Sequence, residues 1–182
     1  MPPVHNFPPT AAFRDESPDS PITEFALRVV VELPNWQFFV VGTATIISGY
    51  LAVTALHVFD HVVRTFGATL KDEKNAEISG YEIKLYQVVP GPAYRIWRVV
   101  AAWPCATDIV LLHLSLAGTA GADEKVSWKQ PFLRVMPPPV GQQVVAFGYR
   151  ESKIAVTEGQ DGVHRIEVND RPTTSIGTIR QV

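Results

Sequence analysis

Cysteine is almost missing from this chain: Cys105 is the only one in 182 residues. An internal disulfide is therefore excluded, and the fold must be held by its core. With no histidine beside it in sequence, Cys105 reads as a buried or half-buried structural thiol in a loop, not as a nucleophile. No Lys/Arg run exceeds two residues and the formal net charge is −2. The chain thus lacks the basic footprint that holds nucleic-acid phosphates. The longest apolar stretch, near Phe38 to Ile47, is interrupted at Gly42 and Thr43. It falls well short of the about 20 apolar residues a membrane helix needs. Met1-Pro2-Pro3-Val4-His5 has neither a basic segment nor an apolar one, so no signal peptide is read and a cytoplasmic location is expected. Neither a membrane nor a nucleic acid is expected as partner.

What is present suits a β protein. Hydrophobic residues make up 46% and charged residues 19%, enough for a sizeable core and against global disorder. Fifteen prolines and twelve glycines punctuate short alternating segments, the pattern of many strands joined by turns. Residues 1–24, rich in proline, read as a flexible tail. Residues 25–114 contain six predicted strands: Ala26–Leu33, Trp36–Ile47, Leu51–Thr54, Tyr81–Val89, Arg95–Trp103 and Ile109–Leu114. That number closes a small antiparallel barrel. Val58–Phe66 reads as one or two helical turns, and Lys71–Asn75 as a solvated loop. The aromatic residues Trp36, Phe38, Phe39, Trp97 and Trp103 read as barrel packing. Residues 115–131 read as a connection. Residues 132–182 read as the start of a second barrel, with strands at Gln142–Tyr149, Lys153–Glu158, His164–Asn169 and Thr178–Val182.

Two motifs carry chemistry. Thr54-Ala55-Leu56-His57 ends one predicted strand, and Asp108 opens the apolar strand Ile109–Leu114. A serine hydroxyl is a weak nucleophile near neutral pH and needs a base whose pKa lies close to that pH, which is a property of histidine. The base in turn needs a partly buried carboxylate to fix its tautomer. His57 and Asp108 suit those two roles. His57 and His61 stand four apart, but no glutamate lies between them and no third ligand stands out, so neither a metal nor a cofactor is expected. No Gly-x-Ser-Gly-Gly occurs in these residues. Ser175, in Thr173-Thr174-Ser175-Ile176-Gly177, lacks the glycines that would shape an oxyanion hole and reads as an ordinary strand residue. His113 and His164 read the same way.

In order along the chain, Gly42-Thr43-Ala44-Thr45-Ile46-Ile47, Thr54-Ala55-Leu56-His57-Val58, Asp108-Ile109-Val110-Leu111-Leu112-His113-Leu114 and Pro139-Val140-Gly141 to Gly148-Tyr149 resemble the trypsin-like, chymotrypsin-fold serine peptidases, in style the compact bacterial-type branch. The resemblance covers about residues 25–182. It implies an all-β fold of two antiparallel barrels, the first complete and the second partial, with His57 and Asp108 as catalytic residues. It also implies a serine endopeptidase acting on polypeptides, with the chain stopping before its nucleophile and inactive as it stands. A peptidase-like binding module that kept the barrel and lost the chemistry is the competing class, and a cysteine peptidase of the same fold a third.

Overall fold

A computed structural model describes residues 14–17, 20–33, 36–67, 69–70, 78–79, 82–89, 93–105, 107–120, 131, 136–159, 162 and 164–180. Its elements run β1 (Arg14–Asp15), a 3₁₀ turn (Pro21–Glu24), β2 (Ala26–Leu33), β3 (Gln37–Ser48), β4 (Leu51–Thr54) and α1 (Leu56–Phe66). Then follow β5 (Thr69–Leu70), β6 (Ile78–Ser79), β7 (Glu82–Val89), β8 (Ala93–Pro104), β9 (Val110–Ala120), β10 (Gln143–Glu158) and β11 (His164–Thr178). The Lys71–Asn75 loop and most of the expected connection lie outside the described residues.

Six antiparallel strands close a barrel in the order β2-β3-β4-β9-β8-β7. These are the six strands expected from the alternating pattern, and the all-β reading holds. Alternation puts Leu27, Val29 and Val31 of β2, Ile83 and Leu85 of β7, and Leu112 and Leu114 of β9 into one core. In β8 the core positions are Trp97, Val99 and then Ala102. The step of three falls where the register shifts between Val99 and Ala101, leaving Val100 as the extra residue. Trp97 lies in the interior and donates its Nε1–H to Gln87 Oε1 at 3.0 Å. Gln87 in turn donates to the Glu24 carbonyl at 2.6 Å. A polar residue is thus satisfied inside the barrel, as burial demands. Not all the aromatics pack there as expected. Trp36 and Phe39 are 51% and 44% exposed. Trp103, half-buried, stacks on exposed His113 with ring centroids 6.2 Å apart.

The second unit differs in detail from the expected row of short strands. Strands β10 and β11 form one long antiparallel hairpin, paired from Gln143↔Thr178 to Glu158↔His164 with a register shift between Arg150 and Lys153. The chain that looked like two strands around residue 151 is one strand carrying a bulge. The strand expected to end at Asn169 runs on through Pro172, which forfeits only an N–H and whose carbonyl accepts Glu16 N–H at 2.8 Å. That contact also corrects the reading of residues 1–24 as a tail, part of which belongs to the fold. Strand β1 pairs with β11, Arg171 forks onto Asp15 with both contacts at 3.0 Å, and Thr174 donates to Glu16 at 2.7 Å. Thr23 is buried, its hydroxyl on the Ser20 carbonyl. Residues 1–13 lie outside the described residues.

One aromatic side chain joins hairpin to barrel. Tyr149 of β10 donates its hydroxyl to the Ala26 carbonyl at 2.8 Å, and its backbone N–H to Thr43 Oγ1 at 3.3 Å. Its ring lies 4.1 Å from the guanidinium carbon of buried Arg28, within the range of a cation–π contact. Tyr149→Phe should therefore lower the unfolding free energy by about 1 kcal/mol, the net contribution of one such hydrogen bond. Tyr149→Ala, which also removes the ring from Arg28, should cost clearly more. Urea denaturation of the two variants checks the order.

Candidate active site

Strand β4 delivers the chain to the site. Thr54, its last residue, is buried and donates its hydroxyl to the Thr43 carbonyl on β3 at 2.9 Å. Ala55 then takes an extended conformation (φ −74°, ψ 142°) and helix α1 starts at Leu56. The helix is longer than the one or two turns expected: eleven residues, closed at Gly67, whose φ of 69° is the left-handed value that favours glycine. Phe59 and Val62 of α1 enter the core. His57 is accordingly the second residue of a helix, not the last of a strand.

Ala55 offers no side-chain oxygen to the unpaired N–H groups of the first helical turn. The oxygen comes from across the barrel rim. Between β8 and β9 the chain turns tightly, with Cys105 N–H on the Ile109 carbonyl at 2.9 Å and Ile109 N–H on the Thr107 carbonyl at 2.7 Å. This turn presents Asp108 to the start of α1. Asp108 Oδ1 accepts the backbone N–H of His57 at 3.0 Å, and Asp108 Oδ2 lies 2.8 Å from His57 Nδ1. One carboxylate therefore caps the helix and orients the imidazole.

The two sequence-selected residues, 51 apart in the chain, meet within hydrogen-bond reach. Their setting departs from expectation, because the carboxylate is not partly buried. The side chains of His57 and Asp108 are 74% and 61% exposed. With Nδ1 turned to Asp108, the other ring nitrogen, Nε2, points away from the carboxylate and is the one free to exchange a proton with an incoming group. The Asp108 carboxyl is held below its usual range, first by the imidazole hydrogen bond and then by the His57 backbone N–H.

Cys105 is also exposed, against the expectation of a buried thiol. It sits at the mouth of the turn, where its backbone makes the structural bond and its side chain faces out. His61 places Nδ1 3.3 Å from Thr65 Oγ1 on the same helix. Among the described residues, no three His, Cys, Asp or Glu side chains group to hold a metal. Ser175 stands in β11 opposite Ala146, in regular strand pairing.

Two features of the site escaped the sequence reading. The capping role of Asp108 had a signal available: a helix beginning Ala55-Leu56-His57 with no Ser, Thr, Asp or Asn at its cap needs an acceptor from elsewhere. The Thr54–Thr43 bond had none, since it depends on the register of β3 and β4, which pairs Ala44 with Thr54.

No family model matches the chain, and no curated protein matches it. Solved structures do match in fold. One of them, named "Structure of GrC", has a TM-score of 0.52 and 14% sequence identity over 93% of this chain. This chain spans 65% of the length of that one. At such low identity the likeness concerns architecture, an all-β chymotrypsin-like fold.

The depressed Asp108 carboxyl has a consequence for stability. Its ionised form is favoured in the folded state, so its contribution is present above the ordinary aspartate value, about 3.9. It is lost as the pH falls through the lower folded value. Carbon-13 NMR titration of Asp108 should give a midpoint below that of a model peptide. His57→Ala should move it upward, because the imidazole is the largest cause of the shift. A midpoint unmoved by His57→Ala would show that the backbone donors alone hold the carboxylate.

Proposed function

We propose that this chain supplies the general base and orienting carboxylate of a serine endopeptidase, with His57 as base and Asp108 as orienter. The observation that carries the reading is the 2.8 Å contact between His57 Nδ1 and Asp108 Oδ2, with the ring otherwise open. The chymotrypsin-like fold is compatible with it but does not by itself license a function. Peptide bonds of polypeptides are the substrate class.

The chemistry runs through Nε2. A serine hydroxyl placed against it attacks the scissile carbonyl carbon, and its proton passes to Nε2 as the C–O bond forms. The resulting imidazolium is stabilised by ionised Asp108, which keeps Nδ1 protonated throughout. The imidazolium then returns the proton to the leaving amine nitrogen as the C–N bond breaks. Water repeats the two steps on the acyl-enzyme, giving the free acid and restoring the serine.

The serine is not identified among these 182 residues, which hold no Gly-x-Ser-Gly-Gly. The exposure of Asp108, where a triad carboxylate is buried, favours the second reading, a binding module built on the same fold. Protein expressed from its full reading frame, treated with a fluorophosphonate, separates the two. On the peptidase reading one serine outside these residues is labelled and His57→Ala abolishes the labelling. Asp108→Asn lowers kcat by about 10⁴-fold, the loss measured when a triad aspartate becomes asparagine. No labelling and no peptide hydrolysis would leave the binding module standing. The 182 residues alone should remain unlabelled, Ser175 included, because it stands in regular strand pairing without the glycines that shape an oxyanion hole.

A further inference from the structure

Gly42 lies on β3 beside a break in the ladder. Val29 pairs with Gly42, but Val30 pairs with Val40, so Val41 is an extra residue that bends the strand. Across from Gly42 stands Val58, the residue after His57 in α1. A Cβ built on Gly42 would fall 2.6 Å from Val58 Cγ1, 2.8 Å from Cγ2 and 3.3 Å from Cβ. The first two distances are shorter than carbon atoms tolerate, and the third is tighter than an ordinary van der Waals contact. Gly42 is not there for a special backbone angle, since its φ lies outside the left-handed range. It is there for space.

We propose that Gly42 is a positioning residue for the His57–Asp108 pair: its missing side chain lets Val58 seat against β3, and that seating sets where the first turn of α1 holds His57. The importance of that position for catalysis rests on the peptidase reading, whereas the seating itself does not.

When that space is filled, one side must yield. Val58 cannot swing clear, because a β-branched side chain in a helix has essentially one rotamer, and both methyls and Cβ crowd the site. Strand β3 resists as well. Gly42 is paired to Val29, and its neighbour Thr43 is tied through its carbonyl to Thr54 and through its hydroxyl to Tyr149 N–H. The start of α1 has fewer polar ties, the exposed Asp108 carboxylate and Val58 N–H on the Ala55 carbonyl at 3.1 Å, and Leu56 and Val58 are only partly buried against the core. Displacement therefore falls on Leu56, His57 and Val58, and it opens the contacts with Asp108. A misplacement of about 1 Å can cost a catalytic site about 10²-fold.

The test compares Gly42→Ala, Val58→Ala and the double variant on the 182-residue protein. Two NMR readouts report the pair directly: the Asp108 carboxyl midpoint and the low-field resonance of the His57 Nδ1 proton. In Gly42→Ala the midpoint should rise toward the ordinary aspartate value and the low-field resonance should weaken. Adding Val58→Ala, which removes the methyls that clash, should restore both. In the active full-frame protein, Gly42→Ala should lower kcat by about 10²-fold with KM unchanged, and the double variant should recover most of it. A folded Gly42→Ala protein with both NMR readouts unchanged would overturn the proposal. If Gly42→Ala does not fold, a double variant that folds with the signature intact supports it. A double variant that folds without the signature, or does not fold, overturns it. Should the NMR signature behave as stated while no form of the protein hydrolyses peptides, the peptidase reading fails and the positioning role stands.

Discussion

Helix α1 begins without a cap of its own, and the loop between β8 and β9 carries an aspartate with no partner nearby in sequence. Each solves the other's problem. The Asp108 carboxylate accepts the first-turn N–H of His57 and faces its ring nitrogen at 2.8 Å. Acidic groups are favoured at a helix N-terminus, where unpaired N–H groups point outward. The bond that fixes the imidazole is thereby also a bond that starts the helix, and the helix buries Phe59 and Val62 in the core. Geometry at the imidazole is coupled in this way to the folding of the barrel.

Closure of the barrel makes the meeting possible. Strand β4 pairs with β9, and β9 with β8. The chain leaving β4 and the turn entering β9 therefore emerge side by side, Thr54 opposite Val110. Antiparallel pairing fixes that register because a slip of one residue would turn Leu112 and Leu114 out of the core. The His57–Asp108 distance is thus set by hydrophobic burial well away from either residue. The hairpin of β10 and β11 bears on the same region from the other side through Thr43, which holds both Thr54 and Tyr149.

Short apolar segments bounded by turn residues made the six barrel strands legible, some by alternation and others, like β2 with Ala26–Val31 buried throughout, as near-continuous apolar runs. The pairing of His57 with Asp108 was legible too, from residue type and order along the chain. The length of α1 was not, because Leu56-His57 reads as the end of a strand until the cap supplied from β9's side is known. The hairpin misled for a similar reason. Local propensity alone ends one strand at Tyr149 and another at Asn169, yet ladder bonds on both sides carry the strands through. Exposure was the least legible property. Cys105, Trp36 and Phe39 are residue types usually covered, and their position at the barrel's rim and surface comes from tertiary placement alone.

Exposure also bears on how the pair can act. With His57 and Asp108 mostly open to solvent, water competes for the carboxylate, and the attraction between imidazolium and carboxylate is damped by a high dielectric. The hydrogen bonds still depress the Asp108 carboxyl because they are geometric, made at 2.8 and 3.0 Å whatever lies beyond. A peptide laid against His57 would exclude that water. The Nδ1–Oδ2 contact would then stabilise the imidazolium more strongly at the moment it forms, with the backbone bond holding the carboxylate in place. On the peptidase reading, orientation is built into the fold in advance, and electrostatic strength arrives with the polypeptide that covers the site.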